Sequence, residues 1–327
     1  MQKRVLVTGG AGYVGSVLVP KLISKGYEVR VLDWMMFPGG LDSIKEKIDL
    51  IEGDIRNIET LRKSLEGVDY VIHLAAISND PCSELDHRLT TQVNLDATRD
   101  LIKISKEHNV ERFVYASSSS VYGIKEEELV TEDLPLEPLT IYSKTKAESE
   151  ELLKEANDQE FTTVSIRSAT VCGYSPRQRL DVIINILTDR AIRLREIIVN
   201  GGDQKRPNIH IDDITDLYVD LLTAPKELIS AQVFNYGTIN HTVNELADIV
   251  KNSLGDPSIE IIRKPSTKDS RSYSISSEKI KNLLGFTPKK TIRDAVLDLK
   301  RAYDVGKFLD TLNPVYKNVA KMKEEGY

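Results

Sequence analysis

A tyrosine and a lysine stand four residues apart, at Tyr142 and Lys146. On a helix the two side chains share one face. A free phenol has a pKa of ~10 and is a poor base at neutral pH, but a neighbouring ammonium group stabilises its ionised form. Tyr142 could then remove a proton from a hydroxyl group while a hydride leaves the same carbon. The same spacing is common at the exposed start of a helix, so the pair needs support from other residues.

Four serines, Ser117 to Ser120, follow a predicted strand at Arg112–Ala116. The carboxyl end of a central parallel strand faces the ligand crevice of the sheet, where a serine hydroxyl could hydrogen-bond the reacting oxygen. Serine is also well suited to a plain turn. A serine, a tyrosine and a lysine in this order on such a fold are much less expected by chance, which favours a catalytic role.

A glycine-rich turn spans Thr8 to Gly15, with glycines at Gly9, Gly12 and Gly15. Gly9 permits a sharp turn, Gly12 lets the backbone approach a pyrophosphate, and Gly15 allows close packing of helix on strand. The N-terminus of the following helix offers free N–H groups and a positive dipole end to the anion. A plain tight turn is the alternative, but the position between the first strand and the first helix favours dinucleotide binding.

Asp33 ends the second predicted strand, 18 residues after Gly15. A carboxylate there can accept hydrogen bonds from both hydroxyls of an adenosine ribose, and it repels a 2′-phosphate. The cofactor is therefore predicted to be NAD rather than NADP. A solvated aspartate at a strand end is the alternative interpretation.

Short apolar strands alternate with helices through the first half of the chain. This pattern predicts an α/β fold with a doubly wound parallel sheet of the Rossmann type. The predicted strands are Val5–Val7, Glu28–Leu32, Asp49–Glu52, Tyr70–Leu74, Arg112–Ala116 and Thr162–Arg167. The predicted helices are Ser16–Ser24, Ala97–Glu107 and Lys144–Ala156.

The second half is less regular, and residues 172–209 are basic and punctuated by Pro176, Gly201, Gly202 and Pro207. We expect an NAD-binding domain at 1–170, to which segments at about 209–240 return, and a smaller, interleaved substrate domain at 171–327. Further helices are predicted at Ile214–Leu222, Val243–Leu254 (with Asn244 as a candidate cap), Ile275–Leu284 and Ile292–Leu309, and strands at Val233–Tyr236 and Glu260–Arg263.

Composition excludes several classes of protein. The chain has 44 Lys+Arg against 50 Asp+Glu, a net charge of −6, which argues against nucleic acid as a partner. Two cysteines are too few for a disulfide scaffold or a cysteine-ligated zinc site. The five histidines show no ligand spacing, so no metal is predicted. No apolar run is long enough for a membrane span, and a cytoplasmic location is expected.

Taken together, the motifs resemble the extended short-chain dehydrogenases/reductases, in particular the NAD-dependent sugar-nucleotide epimerases and dehydratases. The motifs that carry this resemblance are Thr8–Gly15, Asp54-Ile55, His73–Ala76, Asn94, Ser118–Gly123, Tyr142 with Lys146, Arg206-Pro207 and His210–Asp213. By resemblance, Ser118 is the catalytic hydroxyl, because it stands three residues before Val121. Tyr142 is the base, and Lys146 also holds the nicotinamide ribose. The cofactor residues that the resemblance implies are Gly9, Gly12, Tyr13, Val14, Gly15, Asp33, Asp54, Ile55, Leu74, Ala75, Ala76, Asn94, Tyr142 and Lys146.

Two positions depart from the family pattern. The 4,6-dehydratases carry an aspartate and a glutamate after the catalytic hydroxyl residue, where this chain has Ser119 and Ser120. Loss of water needs that acid and base, so dehydration is not expected. Many relatives also place an asparagine three residues after the arginine of the sixth strand, where this chain has Thr170 after Arg167.

Arginines of the second half are candidates for the substrate side, because a guanidinium forks onto phosphate oxygens. In similar proteins the positions of Arg206 and Arg271 contact the substrate diphosphate. The predicted substrate residues are Ser78, Asn79, Ser118, Thr170, Arg177, Arg179, Arg206 and Arg271.

The resemblance implies a sugar-nucleotide 4-epimerase that works through a transient 4-keto sugar in surface-polysaccharide biosynthesis. A 4-dehydrogenase, a 4-keto reductase or a non-catalytic dinucleotide sensor are the alternatives. Relatives pair as homodimers through the helices that correspond to Ala97–Lys106 and Glu148–Glu155. Leu101, Ile102 and Ile104 would suit such an interface, and core packing would explain them equally well.

Overall fold

A computed structural model describes residues 2–265, 272, 274–308 and 310–327. The strands are β1 Arg4–Thr8, β2 Glu28–Asp33, β3 Asp49–Glu52, β4 Tyr70–His73, β5 Arg112–Ser118, β6 Thr162–Ser168, β7 Thr170–Cys172, β8 Glu196–Asn200, β9 Lys205–Arg206, β10 Asn208–His210, β11 Gln232–Tyr236, β12 His241–Thr242 and β13 Glu260–Lys264. The helices are α1 Gly15–Ser24, α2 Ile58–Leu65, α3 Asp80–Ser83, α4 His87–Thr91, α5 Ala97–Glu107, α6 Ile141–Ala156, α7 Ile183–Leu194, α8 Ile211–Leu221, α9 Lys226–Ile229, α10 Val243–Leu254, α11 Glu278–Leu284, α12 Ile292–Asp304 and α13 Asn318–Glu324.

Within the described residues, the main sheet has seven parallel strands in the order β11-β6-β5-β4-β1-β2-β3. Alternate residues of a strand point to opposite faces, and β1 is apolar on both. Val5 and Val7 join one hydrophobic core, whereas Leu6 joins the other. A sheet covered on both faces is the doubly wound fold that the sequence predicts.

Helices form the two outer layers. On one face, Leu18 of α1 and Leu217 of α8 pack in the same core. On the other face, Leu61 of α2 and Leu101 of α5 pack together. Leu101, Ile102 and Ile104 are all buried within a single chain, so core packing accounts for them and they offer no dimer surface. The homodimer itself stays a prediction.

The second half interleaves with the first. Strand β11 pairs with β6 at the edge of the main sheet, and α8 lies against the layer that contains α1. A third core joins α7, α10 and α12 to the two-stranded sheet of β8 and β13, through residues such as Ile184, Leu246 and Val296. None of the described helices is long and apolar enough to cross a bilayer.

The basic stretch at 172–209 contains α7 and β8, whose bounds the sequence did not predict. Asn185, Thr188 and Asp189 of α7 are buried among its apolar residues, which obscures the hydrophobic period of the helix. The Asn185 amide, for example, donates to the Arg179 carbonyl oxygen at 2.7 Å. Buried polar side chains with tertiary partners cannot be told from surface positions in a sequence.

Several helix ends also differ from prediction. Thr242 caps α10 through a reciprocal box with Glu245, so Asn244 is not the cap. The predicted helix from Ile275 begins only at Glu278, because Ile275 pairs with Val130 in an isolated β-bridge. The last long helix ends at Asp304 rather than at residue 309.

Candidate active site

A crevice opens where the strand order of the main sheet reverses, between β1 and β4. Ligands of open α/β sheets bind at this switch point, outside the carboxyl ends of the strands. Every cofactor residue predicted from the sequence except Asn94 lines the crevice: Gly9, Gly12, Tyr13, Val14, Gly15, Asp33, Asp54, Ile55, Leu74, Ala75, Ala76, Tyr142 and Lys146.

The glycine turn leaves space where an anion would sit. Gly9 has φ +71°, and a Cβ there would lie 2.7 Å from the Ala75 nitrogen. A Cβ on Gly15 would lie 2.5 Å from the Gly10 Cα, so this glycine is required by packing within the turn. A Cβ on Gly12 would meet only the Gly9 oxygen, at 3.2 Å. Gly12 therefore exposes its backbone to the crevice at the start of α1, which fits a bound pyrophosphate.

Asp33 is held in place by the backbone around it. Its carboxylate accepts hydrogen bonds from the Ala11 nitrogen at 2.9 Å and from the Met35 nitrogen at 2.8 Å. Burial raises the pKa of Asp33, and the two backbone hydrogen bonds oppose that shift. The carboxylate is thus oriented toward the crevice without a cationic partner among the hydrogen bonds and ion pairs found in the described residues, as a ribose acceptor requires.

The sequence did not indicate how the outer end of the crevice is built. The Arg56 guanidinium forms an ion pair with Asp54 at 2.5 Å and lies 5.4 Å from the centre of the Trp34 ring. Tyr327 meets the other edge of Trp34, with ring centres 5.7 Å apart. These aromatic and planar groups could flank an adenine base, and residue 327 had no local signal that would have placed it here.

Ser118, Tyr142 and Lys146 are brought together on one wall of the crevice. Ser118 ends β5, and its hydroxyl oxygen accepts from the Ser120 nitrogen at 3.2 Å and the Ser120 hydroxyl at 2.9 Å. Helix α6 starts at Ile141, because Thr140 and Ser143 form a capping box. Tyr142 therefore lies in the first turn of the helix, and Lys146 follows one turn later.

Lys146 is buried behind Tyr142. Its Nζ donates to the Ala116 carbonyl oxygen at 2.6 Å and lies 5.8 Å from the centre of the Tyr142 ring. Burial disfavours the ammonium form and lowers the pKa of Lys146 to about 7. The positive charge is therefore available near neutral pH beside the phenol, where it would favour phenolate.

The Asn94 side chain does not line the crevice, but it supports the backbone segment that does. Its side chain accepts from the Ile77 nitrogen at 2.8 Å and donates to the Ile77 oxygen at 3.1 Å. These bonds replace a strand partner for the segment after β4, which includes Ala75 and Ala76. Asn94 thus holds the backbone that lines the crevice, and its predicted contact with the cofactor stays a prediction.

The predicted substrate residues also converge on the crevice, namely Ser78, Asn79, Ser118, Thr170, Arg177, Arg179 and Arg206. Arg271 lies outside the described residues. Arg179 forms an ion pair with Asp181 at 2.6 Å and donates to the Ser78 hydroxyl at 3.3 Å. Among the described residues, the buried Arg177 Nε and Arg179 Nη2 have no hydrogen-bond partner. Two buried guanidinium groups with unused donors suit an anionic ligand.

One histidine has carboxylate neighbours that the sequence spacing did not reveal. His210 is buried, with Nε2 3.1 Å from the Asp298 carboxylate, and Asp212 lies near its other nitrogen. The Nδ1 atom accepts from the Asp212 backbone nitrogen at 3.0 Å as the cap of α8. Both ring nitrogens therefore already have protein partners, and the expectation of no metal stays a prediction.

The fold and the crevice define a class of protein, a Rossmann-type dinucleotide-binding enzyme with a serine, a tyrosine and a lysine on one wall of its crevice. A family model described as NAD dependent epimerase/dehydratase family matches residues 5–237. The chain belongs to this family, and its cofactor is NAD. The glycine turn, Asp33 and the unpartnered Arg177 nitrogen are a donor and acceptor set that fits this cofactor.

Known relatives span nearly the whole chain. A putative UDP-glucose 4-epimerase of Methanocaldococcus jannaschii is 29% identical over 298 residues, which cover 89% of this chain and 95% of the relative. The structure of a dTDP-glucose 4,6-dehydratase of Streptomyces venezuelae with NAD bound has a TM-score of 0.84 at 26% identity and covers 95% and 99% of the two chains. A UDP-glucuronic acid 4-epimerase of Bacillus cereus, in complex with UDP-glucuronic acid and NAD, has a TM-score of 0.82 at 27% identity, with 92% and 100% covered.

Removal of the Asp33 charge should weaken the preference for NAD over NADP. The unmutated protein should bind NAD at least about tenfold more tightly, since like charges at close range cost about 1 kcal/mol or more. Asp33→Asn keeps the size of the side chain and should bring the two affinities closer together. Calorimetric titration with both cofactors measures this, with the exposed Asp42→Ala as a control. Equal affinities in the unmutated protein would contradict the assignment.

Replacement of Lys146 by methionine should stabilise the cofactor-free protein while it removes activity. The folded-state pKa of about 7 lies below the ordinary value of 10.5, so the buried charge is fully destabilising below pH ~7 and progressively less so up to pH ~10.5. Lys146→Met should therefore raise the melting temperature by a few degrees at pH 6, on the order of 1–3 kcal/mol, and by less at pH 9. The exposed Lys144→Met is the control, and a pH-independent difference would refute the assignment.

Proposed function

We propose that this protein is an NAD-dependent 4-epimerase of a nucleotide sugar. One observation carries the proposal: the Ser118, Tyr142 and Lys146 side chains share a single crevice with a pyrophosphate-type glycine turn and with buried arginines. The serine, tyrosine and lysine suit chemistry at a secondary hydroxyl, and the buried arginines suit anionic groups of the ligands. The relatives named for UDP-glucose and for UDP-glucuronic acid support this class of substrate.

In the proposed reaction, Tyr142 removes the proton from the C4 hydroxyl of the sugar. Lys146 stabilises the phenolate by its charge, and Ser118 donates a hydrogen bond to the oxygen as it becomes a ketone. Bound NAD, held by the glycine turn, Asp33 and Lys146, would supply a reversible hydride acceptor for C4. Return of the hydride to the opposite face of the 4-keto sugar inverts C4, and Tyr142 gives the proton back, so the reaction consumes no NAD.

The two residues after Ser118 argue against loss of water. Ser119 and Ser120 line the crevice, but a serine hydroxyl is neither a useful acid nor a useful base at neutral pH. The Ser120 hydroxyl is used as a donor to Ser118. A 4-dehydrogenase or 4-keto reductase would use the same residues and remains the alternative, whereas a non-catalytic sensor would not need the intact set.

The surroundings of Arg179 favour a sugar with an acidic substituent. Arg179 is buried beside Ser78 and within electrostatic range of Tyr142, and its Nη2 has no partner among the described residues. A neutral hydroxymethyl group at C6 would accept only a weak hydrogen bond from Arg179 Nη2, because it carries no charge. A C6 carboxylate could accept from it and from the neighbouring hydroxyls, as the relative that binds UDP-glucuronic acid would suggest.

Tyr142→Phe should abolish most of the activity while the fold and NAD binding survive. Loss of a general base typically costs about a hundredfold to ten-thousandfold in rate. The assay is mass spectrometry and NMR of nucleotide sugars incubated with the protein, with absorbance of reduced nicotinamide recorded alongside. The unmutated protein should give a product of unchanged mass with C4 inverted and no net reduced cofactor.

The control is Tyr174→Phe, because the Tyr174 ring packs on Phe308 outside the crevice. Near-full turnover of a folded, NAD-loaded Tyr142→Phe would show that another group moves the proton. A product lighter than its substrate by one water would refute the epimerase proposal in favour of a dehydratase.

Arg179 should decide between acidic and neutral sugars. UDP-glucuronic acid and UDP-glucose differ only at C6, so the pair isolates the contact. Arg179→Gln should weaken binding of the acidic sugar by roughly 10- to 100-fold, the size of a hydrogen bond to a charged group, and should change UDP-glucose binding by less. Arg179→Lys should restore part of the difference. Equal affinities of the unmutated protein for UDP-glucuronic acid and UDP-glucose would contradict the proposed preference for an acidic sugar.

A further inference from the structure

Arg177 lies on a loop that is fastened to the glycine turn. The Tyr13 hydroxyl donates to the Gly173 oxygen at 2.7 Å, and the Ser175 hydroxyl donates to the Tyr13 oxygen at 2.7 Å. The Arg177 nitrogen donates to the Ser16 hydroxyl at 3.3 Å, at the start of α1, across a separation of 161 residues in the chain. The loop therefore holds Arg177 beside the place where the glycine turn would receive a pyrophosphate.

The Arg177 guanidinium is buried, and it forms no ion pair with a carboxylate in the part of the chain that the structure describes. The residue is 4% exposed, and its guanidinium carbon lies 3.6 Å from the centre of the Phe37 ring. One terminal nitrogen donates to the Asn318 side-chain oxygen at 2.6 Å, whereas the buried Nε has no partner among the described residues.

The carboxylates near Arg177 are engaged elsewhere. Asp33 accepts from the backbone of Ala11 and Met35. Asp181 pairs with Arg179 and accepts from the Asn318 nitrogen at 2.9 Å. A buried cation that lacks an ion-pair partner is costly, and a bound anion would offset that cost.

The C-terminal helix completes this side of the crevice. Asn318 begins α13, is 7% exposed, and donates from its amide to the Ser78 hydroxyl at 3.0 Å. Met322 follows one turn later, lines the same crevice and packs near Trp34. The helix therefore runs along the crevice from Ser78 toward Trp34. Beyond the end of the helix, the Tyr327 ring packs against the Trp34 ring.

We propose that Arg177, oriented by Asn318, binds the diphosphate of NAD, and that the C-terminal segment 318–327 forms part of the cofactor site. The location supports this, because Arg177 lines the same crevice as Asp33, which suits the adenosine ribose, and Lys146, which suits the nicotinamide ribose, and its backbone is bonded to the start of α1. The sequence analysis assigned Arg177 to the substrate, and this proposal assigns it to the cofactor instead. The proposal concerns the established cofactor and does not depend on which sugar reaction is catalysed.

The role of Arg177 is tested by the binding of NAD, ADP and adenosine to the protein after any bound nucleotide has been removed. NAD and ADP contain a diphosphate, and adenosine does not. Arg177→Gln should weaken NAD and ADP by about 10- to 100-fold in calorimetric titrations, as expected for a charge-assisted hydrogen bond, and should leave adenosine within about twofold. Arg193→Gln, at an arginine paired with Asp189 away from the crevice, should change none of the three.

Variants of the C-terminal helix test the second part. Asn318→Ala should weaken NAD by several-fold and speed its release, whereas the exposed Lys323→Ala on the same helix should not. Unchanged NAD and ADP binding in a folded Arg177→Gln, with weaker binding of UDP, would overturn the proposal and return Arg177 to the substrate. An equal loss for adenosine and ADP would also overturn it, since that would indicate a general structural defect. If Arg177→Gln does not fold, Arg177→Lys keeps the charge without the planar fork, and it should weaken NAD and ADP by less than the glutamine variant would while adenosine stays unchanged.

Discussion

A buried ion pair joins α6 to the main sheet directly behind the reaction centre. Glu150 and Arg167 meet at 2.7 Å, with side chains only 2% and 6% exposed, and the Ser117 hydroxyl donates to Glu150. Such a pair adds little net stability, but removal of one partner leaves an isolated charge at a cost of about 3–5 kcal/mol. Because Glu150 lies one turn beyond Lys146 and Ser117 precedes Ser118, this contact sets where Lys146 and Ser118 stand relative to each other.

The crevice in front of that pair is rich in buried positive charge. Lys146, Arg177 and Arg179 are each nearly fully buried, and burial lowers the pKa of Lys146 to about 7 and that of Arg177 to about 9. Arg179 differs, because Asp181 compensates the cost of its burial. Burial of these cations in the absence of an anionic ligand lowers the stability of the folded protein. Functional sites commonly carry such a cost in stability.

Hydrogen bonds between segments that are far apart in the sequence position the buried arginines in the crevice. The loop after β7 is fastened to the glycine turn through Tyr13 and Ser175, and the last helix bridges Ser78 and Arg177 through Asn318. Cofactor and substrate residues therefore alternate along one crevice although they come from both halves of the chain. This interleaving explains why the second half cannot be treated as an independent substrate unit.

Short-range patterns in the chain were enough to predict the parallel α/β sheet, and they picked out the glycine turn, Asp33, Ser118, Tyr142 and Lys146, which the structure brings to one crevice. These patterns are strand and helix periodicity, glycines at defined offsets, and a four-residue helical spacing. The burial of Lys146, the supporting place of Asn94, the orientation of Arg177 and the entry of Asn318 into the crevice emerged only from the folded chain. Those properties depend on partners up to 240 residues away, and a contact between distant segments leaves no periodic signal in the chain.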